Sequence, residues 1–152
     1  MPNINDRIIV TELCQVDTSR RLPPETFEKI NQIKDDSTFW QVVATCWIKW
    51  GRTKDLAGWK KLFSTNRRGR WHMMKKKDRK VWRSLPKVVT AYRAVAPEED
   101  VDSMISWTLN KEVLERIYKD TREIVTRRFK KEEVIAYFDR RKEHEIIVLG
   151  GE

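Results

Sequence analysis

The stretch Arg140–Gly150 reads RRKEHEIIVLG, and the fold turns on how it is read. Ile146, Ile147, Val148 and Leu149 follow one another without a polar break until Gly150. An unbroken apolar run of this length suits a strand covered on both faces better than a surface strand of alternating polarity. A central strand is expected here. Because side chains alternate across a strand, Glu143 and Glu145 are expected to leave its mouth on one face and His144 on the other. An isolated Glu-x-Glu is ordinarily a solvated pair at a strand end, since most charges are surface charges. The sharper reading is two carboxylates meeting at the edge of a core.

Working upstream, the same β character extends back to Pro86. Val88–Val95 (VVTAYRAV) is a strand candidate closed by Pro97 and the acidic Glu98, Glu99 and Asp100, and Met104–Leu109 is a second. Asn110 suits the cap of a helix over Lys111–Lys119, with Val113, Leu114 and Ile117 on its apolar side. Glu123–Phe129 reads as a strand, Lys131–Val134 as a helical turn, and Ile135–Phe138 as a further apolar run. The C-terminal part, residues 86–152, is therefore expected to be a mixed sheet with few helices.

Before Pro86 the spacing is helical. The Pro23, Pro24, Glu25 start favours a helix to about Lys34, with Phe27, Ile30 and Ile33 inward. Ser37 or Thr38 suits the cap of a second helix carrying Trp40, Val43, Ala44, Trp47 and Trp50 on one side, stopped by Gly51. Thr53 suits the cap of a third, with Leu56, Trp59, Leu62 and Phe63 inward, and Asp78–Ser84 suits a short fourth ahead of Pro86. Ile8, Ile9, Val10 and Leu13 form an apolar element of ambiguous type. The fold class expected is α+β, a helical part at 1–85 packed against the sheet of 86–152 in one compact unit.

Composition narrows the class. The chain of 152 residues is 39% hydrophobic and has seven Trp, which suits a packed domain and not a disordered one. Cys14 and Cys46 lie far apart with no Cys-x-x-Cys or Cys/His spacing, so neither a disulfide framework nor a metal site is indicated. No apolar run approaches the ~20 residues that span a bilayer, and MPNINDR has no signal-peptide core. A cytoplasmic, membrane-free protein is expected. The net charge of +9 is concentrated: Lys49–Arg93 holds 16 Lys/Arg against Asp55 and Asp78, a balance of +14, and the remainder balances to −5. With Trp50, Trp59, Trp71 and Trp82 interleaved, this segment suits docking to nucleic acid or to an acidic protein. The plainer reading is amphipathic helices with Trp buried and the cations solvated.

Taken together, AYRAV (Arg93), ISWTL (Ser106, Thr108) and EHEIIV (Glu143, Glu145) resemble, in that order, the arginine–serine–glutamate type of mono-ADP-ribosyltransferase. LPKVVTAYRAV and VIAYFDRRKEHEIIV are similar to its small bacterial and phage members, over roughly the last 70 residues. The resemblance implies an ADP-ribosyltransferase-like sheet, NAD as substrate, and arginine of a target protein as acceptor. It implies Glu145 at the NAD ribose, Glu143 at the incoming guanidinium, Ser106 and Thr108 orienting Glu145 and the ribose, Arg93 on the pyrophosphate, and Tyr92 beside the cofactor. Tyr118 and Phe129 are candidates for the aromatic flanking nicotinamide, with plain core as their other reading. Non-catalytic binding through the basic segment and simple NAD hydrolysis are the alternatives.

Overall fold

The computed structural model describes residues 2–15, 25–50 and 55–149. The Pro24 helix start, the Gly51 stop, the Thr53 cap and Gly150 lie outside them. The chain divides into two units, Met1–Met73 and Met74–Glu152. The division falls after Met73 and not after residue 85. Its cause is visible in the contacts of the helix that follows it.

In the first unit, α1 (Ile4–Cys14), α2 (Glu25–Asn31), α3 (Asp36–Trp50) and α4 (Leu56–Phe63) precede a 3-10 turn at Arg70–Met73. The ambiguous N-terminal element is α1, started by the Asn3 side chain accepting from the Asp6 amide. On α3 the buried stripe holds Trp40, Val43, Ala44, Trp47 and Trp50, as its spacing predicts. Trp47 meets Trp59 edge to face at 5.2 Å, and both contact Phe63. Such offset contacts add to area burial in holding α3 and α4 together. The caps differ from expectation. Asp35, ahead of Ser37 and Thr38, accepts from the Thr38 amide at 3.0 Å and from both hydroxyls, and Asp55 accepts from the Gly58 amide. In a run of adjacent Asp, Ser and Thr, the carboxylate takes the cap and the hydroxyls become its donors.

The second unit opens with α5 (Lys76–Arg83) and continues β1 (Val88–Val95), β2 (Ser106–Thr108), α6 (Lys111–Tyr118), β3 (Glu123–Lys130), β4 (Val134–Phe138) and β5 (Glu145–Val148). Asn110 caps α6 by accepting from the Glu112 amide, as expected. The strands form one sheet in the order β3-β1-β2-β5-β4, with every pair antiparallel. A mixed sheet was expected, and the short connections explain the difference: neighbouring parallel strands need a crossover of about a dozen residues or more. The β4–β5 and β1–β2 links are shorter than that, and the longer path through α6 joins strands that are not neighbours.

β5 lies inside the sheet, with Ile146, Ile147 and Val148 all buried. The edge strand β4 is also buried throughout. α5 packs on it, and two backbone groups of β4 find partners there: the Trp82 indole N–H donates to the Val134 carbonyl at 2.9 Å, and the Tyr137 amide donates to the Met74 sulfur at 3.3 Å. A helix thus covers one sheet edge, a common protection against edge-to-edge pairing. These contacts carry α5 and Met74 into the sheet unit. The opposite edge, β3, is protected differently, by Arg127, Arg128 and Lys130 along an alternating strand. Among the described residues no helix is long and apolar enough to cross a membrane.

Candidate functional site

Pairing register fixes which side chains share a face. Tyr92 pairs with Thr108, Thr108 with Glu145, and Ser106 with Ile147. Directly paired residues project to one side, so Tyr92, Ser106, Thr108 and Glu145 share a face. There the Ser106 hydroxyl donates to Glu145 Oε2 at 2.5 Å, and the carboxylate is half-buried. A hydroxyl on a carboxylate is a charge-assisted bond, short and strong for its type. β2 and β5 supply one member each, so the sheet itself sets the distance.

Arg93 does not join them as expected. One position along β1 from Tyr92, it leaves the strand on the other side, the side of Trp107. Its fork is engaged within the protein: Nε and Nη2 bond the Glu99 carboxylate at 3.3 and 3.1 Å, and Nη1 donates to the Ser106 carbonyl at 2.8 Å. Tyr92–Thr108 is the one register pair between β1 and β2, so the guanidinium adds a tie between strands that are otherwise little laddered. Arg93 and Glu145 therefore meet through a single residue, Ser106, the first at its carbonyl and the second at its hydroxyl. The expected convergence of all five residues on one cleft is not what the register produces.

Thr108 also departs from expectation. Its buried hydroxyl donates to the Glu143 carbonyl at 2.7 Å and accepts from the Asn110 amide at 3.1 Å, so it braces backbone and does not orient the Glu145 carboxylate. Strand alternation does not extend to Glu143. β5 begins at Glu145, Glu143 is helical in backbone, and His144 has φ of +49°. Arg141 and Lys142 are left-handed as well. This turn is tied down by the Leu109 amide on the His144 carbonyl and by the Thr108 bond.

The turn brings in a group that sequence reading missed. His144 Nδ1 lies 2.8 Å from the Tyr137 hydroxyl and 3.6 Å from Asp139, and the Asp139 amide donates to Asp78 of α5. Burial, then the Asp139 and Asp78 charges, push the Tyr137 hydroxyl up to about 12. Burial raises the Asp78 carboxyl too. Their signal in sequence is thin, because a Tyr, an Asp and a His spread over eight positions become neighbours only when a left-handed turn folds them together.

The remaining candidates make contacts within the protein. Phe129 meets Trp107 edge to face at 5.1 Å, and Arg127 lies over the Trp107 ring and pairs with Asp102. Tyr118 carries Arg122 over its ring at 4.7 Å. In the basic segment Trp50 and Trp59 are core, Trp82 is half-buried, and Trp71 is 40% exposed and stacked on His72. A pocket of about 360 Å³ lies in the helical unit, lined by Phe27, Glu28, Asn31, Gly58, Lys61 and Leu62. Gly58 lets the Phe27 ring lie close, since a Cβ there would come within 2.7 Å of it and the ring would have to shift. Among the described residues no cluster of His, Cys, Asp and Glu has metal-binding geometry. No family model matches the chain, and neither a curated protein nor a solved structure does.

Proposed function

We propose that the protein transfers ADP-ribose from NAD to arginine side chains of a target protein. One observation carries the reading: the Glu145 carboxylate, at the mouth of a buried strand, is held at 2.5 Å by the hydroxyl of Ser106 on the neighbouring strand. Breaking the bond between ribose C1′ and nicotinamide sends the electron pair out with nicotinamide and leaves positive charge on the ribose. A fixed carboxylate there favours the transition state over the ground state. Ser106 sets its direction, and Tyr92 and Thr108 share its face. A guanidine nitrogen of the acceptor then attacks C1′ and loses a proton, which this reading assigns to Glu143, two positions before Glu145 in the chain. Arg93 acts on β2 through the Ser106 carbonyl. A direct pyrophosphate contact would require it to leave Glu99 and to reach round from the face opposite Glu145.

The test measures nicotinamide release and label incorporation into protein from the same reactions. Glu145→Gln keeps the shape and removes the charge, so both are expected to fall together by a factor on the order of 100. Glu143→Gln is expected to abolish transfer while slow hydrolysis of NAD persists. Wild-type protein that releases no nicotinamide, or Glu145→Gln that releases it at the wild-type rate, would overturn the reading.

A further inference from the structure

We propose that the outer face of α5, with the turn beside it, is a docking surface for duplex nucleic acid that grips phosphates and not bases. Lys76, Lys80 and Arg83 recur at helical spacing and are all exposed, as are Lys75, Lys77 and Lys87 around them. The structure adds cations from elsewhere in the unit. Lys131 lies against the end of α5, its ammonium donating to the Arg83 carbonyl at 2.5 Å and its amide to the Lys87 carbonyl at 2.9 Å. Lys130 is exposed beside it.

Acids that would neutralise this face are turned away from it. Asp78, the acid of α5, accepts the Asp139 amide, and Glu133 accepts the Lys130 amide, each half-buried; Glu132 is the exposed acid of the turn. Lys76 to Arg83 spans about 10 Å of helix, and a duplex presents one charge per ~1.7 Å of its axis, so several phosphates fall within reach. The aromatic decides which strand state fits. Binding of single strands uses rings on which bases stack. Trp82, the ring on this helix, is turned inward with its N–H spent on the Val134 carbonyl, leaving cations without a stacking platform. A surface of that kind suits the regular backbone of a duplex, read without regard to sequence. The inference does not depend on the transferase reading, because it is tested without NAD.

Fluorescence anisotropy of the full chain with labelled random-sequence duplexes of DNA and of RNA, the matching single strands, and polyglutamate forms the test. Duplex is expected to bind most tightly, with the logarithm of the affinity falling linearly in log salt. Lys76→Gln/Lys80→Gln/Arg83→Gln is expected to lower that slope by roughly 2.7, three contacts at about 0.9 each. Lys34→Gln/Lys49→Gln/Lys61→Gln, exposed cations of the helical unit, removes the same charge and is expected to leave it nearly unchanged. Circular dichroism checks that both variants fold. No duplex binding near physiological salt, equal or tighter binding of single strands or polyglutamate, or equal loss in both triple variants would overturn the proposal.

Discussion

Asp6 of the helical unit and Glu145 of the sheet unit are held by opposite kinds of donor. In the helical unit Asp6 is fully buried and accepts the Lys34 and Asp35 amides at 2.8 and 3.0 Å, pinning α1 to the loop between α2 and α3. Asp35 is mixed, accepting the Thr38 amide and the Ser37 and Thr38 hydroxyls at the start of α3. In the sheet unit Glu145 is held by a hydroxyl and Glu99 by a guanidinium. Backbone donors are fixed by the fold and cannot leave. Hydroxyl and guanidinium donors rotate, so their carboxylates can exchange partners with a ligand. The contrast separates carboxylates that hold a structure from those available for chemistry, which sequence position alone does not do.

The sharpest way to break this contrast is Asp6→Ala. It leaves two amides without the buried carboxylate that accepts them, and a loss of about 3 kcal/mol of stability is expected, read by chemical denaturation with tryptophan fluorescence. Ser106→Ala removes one exchangeable bond. A smaller loss of about 1 kcal/mol is expected, with a larger effect on nicotinamide release. If Ser106→Ala destabilises more than Asp6→Ala, the distinction collapses.

The units should also differ in pH response. The Thr38 and Ser37 hydroxyls and the Thr38 amide hold the Asp35 carboxyl well below the ordinary carboxylate range. A depressed folded pKa contributes stability that is present above the unfolded value near 4 and is lost as pH falls. Asp35→Asn should flatten the acid limb of a stability–pH curve. Tyr137 is the reverse: its folded pKa is raised, so its contribution is complete below about 10 and is lost as pH rises towards about 12. Tyr137→Phe should flatten the alkaline limb and leave the acid limb alone. The smallest effect concerns the thiols. Burial pushes Cys46 up to about 12 while Cys14 is exposed, so a disulfide reagent should label Cys14 in the native protein and Cys46 only on unfolding.

What sequence revealed follows from where local pattern and tertiary geometry agree. β1, α6 and the turn at Lys131–Glu133 stand where Val88–Val95, Asn110 and the charged run place them, because turn residues bound each one. α1 was ambiguous because Ile8, Ile9 and Val10 are adjacent and give no clean stripe. Direction of pairing was hidden, since β5 is as apolar on both faces as a parallel strand. In the candidate site, Ser106 and Glu145 came together because two residues of regular strand suffice to aim them. Arg93, Thr108 and Glu143 went elsewhere for reasons beyond local pattern: the β1–β2 register, the Asn110 amide, and a left-handed turn built from Arg, Lys and His.

That turn has an implication for sequence variation. Arg141, Lys142 and His144 hold a conformation that costs a residue with a Cβ roughly 1–2 kcal/mol and costs glycine almost nothing. Diverging copies of this gene should therefore drift towards Gly or Asn at positions 141 and 142, and Val, Ile or Thr should be rare there. His144 faces the same backbone pressure but is held by the Tyr137 hydroxyl, so any drift to glycine at 144 should come with a change at 137.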